Sequence, residues 1–266
     1  MGDFLSYKHS FNSGDLITVL PGIQDIYKKR GKKAKIYQRL NMPAYYFTDA
    51  THPVQYSGVN VCMNESVFNM MKPLLESQEY IESFEVWKGE KTIYDFDLTR
   101  HNSQIPLPAG DIHAWATLTF PMLQCDLSQP WLHIPAKSYV PYILINRTLR
   151  YNNPYIDYFF LKKYQDVMMF VGVKEEHEKF CNDFELNIPL AETNNFLELA
   201  FAISSCRFFM GNQSLCWHIS DALKKPRVLE VCSPFPNCFP TGANGHSFTS
   251  QGSLEYIFET LLKKTE

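Results

Sequence analysis

The stretch Phe208-Phe209-Met210-Gly211-Asn212-Gln213-Ser214-Leu215-Cys216-Trp217-His218 decides how this chain is read. It passes from an apolar strand, through a small polar turn, into a helix that ends near Leu223. A helix that starts on Gly-Asn-Gln-Ser leaves its first backbone N–H groups without intrahelical partners, at the positive end of the helix dipole. Such an end favours phosphate. Beyond it, Lys224-Lys225-Pro226 leads into a second apolar strand, Arg227 to Val231. Strand, polar turn, helix and strand in that order make a ligand crevice at the carboxyl end of a parallel sheet. The same pattern also describes a plain strand–helix connection, so function has to come from the surrounding residues.

Working outward, the alternation continues. Tyr142 to Asn146, Asp166 to Val173 and Ile188 to Leu190 read as strands, the second because it is a continuous apolar run. Tyr155 to Tyr164, Glu175 to Asp183 and Asn195 to Ser205 read as helices, with Phe196, Leu199, Ala200 and Ile203 at helical spacing in the last. Strands alternating with helices mean βαβ units and a parallel sheet. The N-terminal half starts on the same plan: strand Phe4 to His9, turn Phe11 to Gly14, and a helix opened by Asp15 and running to about Arg30. Pro21 is expected to bend or break that helix. Ala34 to Leu40, Ile81 to Trp87 and Thr92 to Leu98 read as strands, and Ser66 to Ser77 as a helix. Pro130, Pro135 and Pro141 bracket a linker near Ala136 to Tyr139. The expectation is two α/β domains, residues 1–137 and 138–266.

Composition bounds the function. The chain has 266 residues, 45% hydrophobic and 20% charged, which suits a soluble globular protein of two ordinary domains. A net charge of −3 gives no global pull toward nucleic acid or anionic membrane. The basic run Lys28-Lys29-Arg30 suits the C-terminal turn of a helix. Seven widely spaced cysteines with no Cys-x-x-Cys pair argue for a reducing, cytoplasmic setting and against a disulfide framework or structural zinc. No apolar run reaches transmembrane length. P-loop and G-x-S-x-G signatures are absent from the sequence.

Four segments resemble the heptosyltransferase-type enzymes, glycosyltransferase family nine. They are His9 to Leu16 with Leu20-Pro21, Phe170-Val171-Gly172-Val173-Lys174-Glu175, Thr193 to Ala202, and Gly211 to Leu223 followed by Lys225-Pro226. The resemblance implies a GT-B fold, with two Rossmann-like domains facing each other across a cleft. It also implies a nucleotide-sugar donor and an acceptor hydroxyl on a glycan, protein, metabolite or modified nucleobase. The middle of the N-terminal half is unmatched. Where the family has Asp-Ser/Thr-Gly, this chain has Gln213-Ser214-Leu215; Gln is uncharged, and Leu forbids the same close backbone approach.

Inverting sugar transfer needs a base for the acceptor hydroxyl on one face of the sugar and stabilisation of the departing diphosphate on the other. The resemblance assigns the base to Asp15, which could instead be a first-turn carboxylate capping its helix. Arg147 and Arg150, with Thr148 between them, follow a strand and could grip diphosphate at the crevice mouth. Gly211, Asn212, Gln213 and Ser214 form the phosphate-facing turn, and His218 lies one helical turn after Ser214. Glu175, or its neighbour Glu176, could accept ribose hydroxyls. Asp95-Phe96-Asp97 matches the metal-binding DxD of another glycosyltransferase fold by letter, but His101, His113 and His177 show no ligand spacing. No metal and no cofactor are therefore assigned. Two functions follow: an inverting, metal-independent glycosyltransferase, or a non-catalytic domain that binds a nucleotide or glycan.

Overall fold

The computed structural model describes residues 4–44, 53–89, 94–100, 110–114, 125–135, 140 and 142–265. They form two separate parallel sheets. In the first, β1 (Phe4–His9) pairs on one side with β2 (Lys33–Gln38), which pairs with β5 (Ile81–Val86), and on the other with β6 (Phe96–Asp97). A short antiparallel ribbon, β3 (Gln55–Tyr56) with β4 (Val59–Asn60), stands apart. In the second sheet the order is β11 (Gly245–Phe248), β10 (Arg227–Glu230), β9 (Phe209–Asn212), β7 (Ile143–Asn146) and β8 (Met168–Phe170). Every residue of β7, β9 and β10 is buried, as expected for central strands covered on both faces.

The strand orders locate the functional ends. The chain winds from β1 to β2 and β5 in one direction and adds β6 on the other side, so the first sheet reverses at β1. The second reverses between β7 and β9. Ligands of open α/β sheets sit beyond the carboxyl ends of strands at such reversals. Helix α1 (Ser13–Arg30) follows β1, and α5 (Leu215–Leu223) follows β9. These two helices pack on each other across the sheets, as do α2 (Glu65–Glu76) and α4 (Phe196–Ser205). Leu16 and Leu20 of α1 thus share one apolar core with Trp217 and Ile219 of α5. A second core, on the far side of the C-terminal sheet, joins Ile143, Phe208 and Val228 to α3 (Lys174–Phe184) and α6 (Gln251–Lys264) through Phe180 and Phe258.

Several elements differ from the sequence reading for physical reasons. Helix α1 runs unbroken through Pro21. Proline has no N–H to give the carbonyl four residues back, and here the indole Nε1 of Trp131 donates to Ile17 O at 3.0 Å instead. The segment read as helix Tyr155 to Tyr164 is a 3₁₀ helix over Phe159–Val167. Before it, Asn153 Oδ1 accepts from Tyr155 N and Asp157 Oδ1 from Phe159 N, local turns that compete with an α-helical start. The apolar run Asp166 to Val173 supplies only a three-residue strand at the edge of its sheet. Ile188 to Leu190 contributes one bridge, Leu190 to Phe170. Strand β11 and helix α6 extend the second sheet beyond the elements read from the sequence. The linker at Ala136 to Tyr139 lies outside the described residues.

Candidate active site

A cavity of about 540 Å³ opens where the two reversal points face each other, within the usual range for a small-molecule site. Asn12 to Asp15 line it from the first sheet; Asn146, Thr148, Arg150, Gln213 and Ser214 line it from the second. The floor of the second side is a fixed polar lattice. Ser214, the N-cap of α5, accepts from Trp217 N and donates its hydroxyl to Asn146 Oδ1 at 2.7 Å. Asn146 Nδ2 in turn donates to Val171 O. The positive end of α5 is thereby locked against the end of β7.

The turn residues divide between those that line the cavity and those that do not. Asn212 is fully buried: its Oδ1 accepts from Thr148 N, and its Nδ2 donates to Arg150 O and Asn152 Oδ1, pinning the loop after β7 to β9. Gly211 is required by packing, since a Cβ there would stand 2.7 Å from Asn146 O. Neither Gly211 nor Asn212 lines the cavity. Gln213 borders it, but its amide is spent on the loop opposite. Its Nε2 donates to Phe235 O and Asn237 Oδ1, and its Oε1 accepts from Cys232 N.

The two arginines separate. Arg147 does not line the cavity; its Nε and Nη2 donate to the two oxygens of the buried Glu230 at 2.8 and 3.1 Å. Tyr158 Oη and Asn153 N also donate to Glu230, and the guanidinium lies over the Tyr158 ring. Arg150 does line the cavity. The acidic pair separates too. Glu175 is exposed, whereas Glu176 is buried and lines the cavity. Burial raises the Glu176 carboxyl to about 7, with the charge of Arg150 opposing the rise. Glu176, Phe180 and Phe184 are the buried residues of α3, at i, i+4 and i+8. That helical spacing was readable in the sequence and favours Glu176 over Glu175.

Across the cavity, Asp15 both caps and faces the ligand space. Its Oδ2 accepts from Asn12 N at 3.1 Å and Asn12 Nδ2 at 3.2 Å. Its Oδ1 has no hydrogen-bond partner among the described residues. His218 is buried between the sheets, with Nδ1 3.3 Å from Thr18 Oγ1 of α1. Its ring packs so closely on the first turn of α1 that a Cβ on Gly14 would approach its Cδ2 to 2.6 Å. Desolvation lowers His218 to about 4, so it is neutral at pH 7.

The DxD letters have other partners. Asp95 Oδ2 accepts from Ser6 N and Oγ, and Asp97 Oδ1 accepts from Thr99 N. Neither aspartate lines the cavity, and no group of three potential metal ligands occurs among the described residues. His113 pairs with Asp221 at 3.6 Å, His177 is bonded to Ile188 O, and His101 lies outside the described residues. Sequence reasoning missed the first turns of α2 (Asn64, Ser66, Val67, Met70), as well as Tyr151, Asn237 and Cys238, all of which line the cavity. The first turns of α2 and the Asn237-Cys238 segment carry no basic or glycine-rich signature.

The two facing parallel sheets, each with a strand–turn–helix at its reversal, define the GT-B glycosyltransferase fold. Solved structures of that class superpose over nearly the whole chain. E. coli heptosyltransferase WaaC, solved with ADP-2-deoxy-2-fluoro heptose, matches at 9% identity and a TM-score of 0.59, covering 98% of this chain and 99% of its own. E. coli ADP-heptose LPS heptosyltransferase II matches at 12% identity and 0.57, with the same coverage. A family 9 glycosyl transferase from Veillonella parvula matches at 12% identity and 0.55, covering 98% of this chain and 90% of its own. At these identities the likeness is one of fold. No protein-family model matches the chain, and no curated protein matches it in sequence.

Proposed function

We propose that the protein is an inverting, metal-independent glycosyltransferase that moves a sugar from a nucleotide-sugar donor to an acceptor hydroxyl. One observation carries this reading: a carboxylate from one sheet and a helix N-terminus with an arginine from the other line a single cavity. Residues 1–137 supply the acceptor side and residues 138–266 the donor side. Arg150 and the first turn of α5 hold the diphosphate, where opposite charge is most useful as the leaving group departs. Glu176 takes the ribose hydroxyls in place of Glu175. Asp15 Oδ1 accepts the acceptor proton from the opposite wall, the geometry that inversion requires. Metal independence is supported by Arg150 and the positive end of α5 on the donor-side wall and by the engagement of Asp95 and Asp97 elsewhere. A cytoplasmic setting fits seven cysteines that are all free and the lack, among the described residues, of a helix long and apolar enough to cross a membrane.

A second reading, nucleotide or glycan binding without turnover, is favoured by Gln213, whose amide is consumed by the 232–237 loop. One experiment separates the two. ADP-, UDP-, GDP- and CMP-sugars are screened for thermal stabilisation, ADP-sugars first because WaaC was solved with one. Asp15→Asn is then compared with wild type for donor affinity and product release. The glycosyltransferase reading expects nearly unchanged donor affinity and a rate lower by about 10²–10⁴-fold. Equal turnover in both proteins makes Asp15 a helix cap. Donor binding without turnover in wild type selects the binding module.

A further inference from the structure

The cavity is asymmetric in charge. Arg150 and the positive end of α5 lie on its C-terminal wall. The facing wall is built by Val54, Cys62, Asn64, Ser66, Val67 and Met70 around Asp15, and no lysine or arginine lines it among the described residues. The Asp15 charge acts on Cys62, Tyr151, His218 and Cys238. All four are neutral at pH 7: burial pushes Cys62 and Tyr151 up to about 12, raises Cys238 further, and holds His218 down to about 4. An anionic group brought to this wall would lose its hydration without a counter-ion and would meet the Asp15 carboxylate.

Resting on the glycosyltransferase reading, we propose that this wall is the acceptor subsite and selects a neutral hydroxyl compound with an apolar flank. Acceptors with a phosphate or carboxylate beside the reacting hydroxyl are rejected. Val54, Val67 and Met70 cover the apolar flank, Ser66 offers a neutral hydroxyl, Asn64 is held as the N-cap of α2 by Val67 N and Gln55 O, and the acceptor hydroxyl reaches Asp15. Specificity arises from what the wall lacks as much as from what it offers.

The test uses the full chain and a matched pair of probes, 4-nitrophenyl β-D-glucopyranoside and 4-nitrophenyl β-D-glucuronide, titrated by ligand-observed NMR. Wild type is expected to bind the neutral glucoside at least about tenfold more tightly, the size of effect one unscreened like charge produces near a protein surface. Ser66→Arg, at an exposed position on the rim, is expected to narrow or reverse that preference. Equal or tighter binding of the glucuronide by wild type overturns the proposal, as does binding of neither probe. Nucleotide-sugar calorimetry on the same samples keeps the two readings apart. A donor that binds while the glucuronide is preferred removes the acceptor assignment alone. Failure of every nucleotide-sugar to bind removes the glycosyltransferase reading itself.

Discussion

Arg147 and Arg150 stand three residues apart on one loop after β7, and sequence reasoning gives them the same task. The fold gives them different surroundings. Arg147 is consumed by Glu230, which also accepts from Tyr158 and Asn153, so four hydrogen bonds from three residues close around one buried carboxylate. Arg150 lines the cavity beside Glu176, a carboxyl that burial lifts to about 7. The difference lies in the acids: Glu230 is in the middle of the sheet at the end of β10, whereas Glu176 projects from the first turn of α3 into the ligand space.

The contrast is open to attack at several points. The largest expected effect is on stability: Arg147→Met strands Glu230 without its bidentate partner and should cost about 3–5 kcal/mol in chemical denaturation. Arg150→Ala should cost about 1 kcal/mol or less. Equal losses in the two variants would erase the distinction.

Next is the pH profile of Glu176. Its folded value, about 7, lies above the ordinary 4.5. Between those pH values the folded protein therefore holds a proton that the unfolded chain has released. Stability contributed by this group falls as pH rises from about 4.5 to about 7 and is level beyond. Glu176→Gln should remove that slope, gaining up to about 3 kcal/mol on wild type between pH 4.5 and pH 8. Parallel stability curves for the two proteins would mean that Glu176 ionises normally.

A smaller effect compares two glycines. Gly14 meets the buried His218 ring across the sheets, so Gly14→Ala should cost about 1–3 kcal/mol through overpacking. Gly252, in α6, has open space at its Cβ position, and Gly252→Ala should be neutral or stabilise by up to about 1 kcal/mol. A neutral Gly14→Ala would show that the contact between α1 and α5 yields easily.

Much of the fold was legible because apolar runs and polar turns alternate clearly from Tyr142 onward and again from Phe4 to Arg30. Some pieces were misread because local side-chain turns compete with the helix, as Asn153 and Asp157 do before the 3₁₀ segment, and others because distant partners decide. Pro21 survives in α1 because Trp131 replaces the missing hydrogen bond, and no local pattern announces that. In the site, Asp15, Thr148, Arg150, Gln213, Ser214 and His218 all border the cavity, while Arg147, Glu175, Gly211 and Asn212 do not. Asn212 and Gly211 lie at the end of β9, where the same polar turn that borders the cavity also has to tie β7 to β9. Glu176 could have been chosen over Glu175 from its spacing to Phe180. The α2 wall could not, since Val67 and Met70 look like any amphipathic face until the second sheet is opposite them.

The central claim is that Arg150, and not Arg147, holds the diphosphate of a nucleotide-sugar. Its most direct test is calorimetric titration of the stabilising nucleotide-sugar into wild type, Arg150→Ala and the conservative Arg147→Lys. Loss of a charge-assisted contact at Arg150 should weaken binding by roughly 10–100-fold and flatten its salt dependence, with Arg147→Lys within about twofold of wild type. Unchanged affinity in Arg150→Ala, or a loss confined to Arg147→Lys, would contradict it.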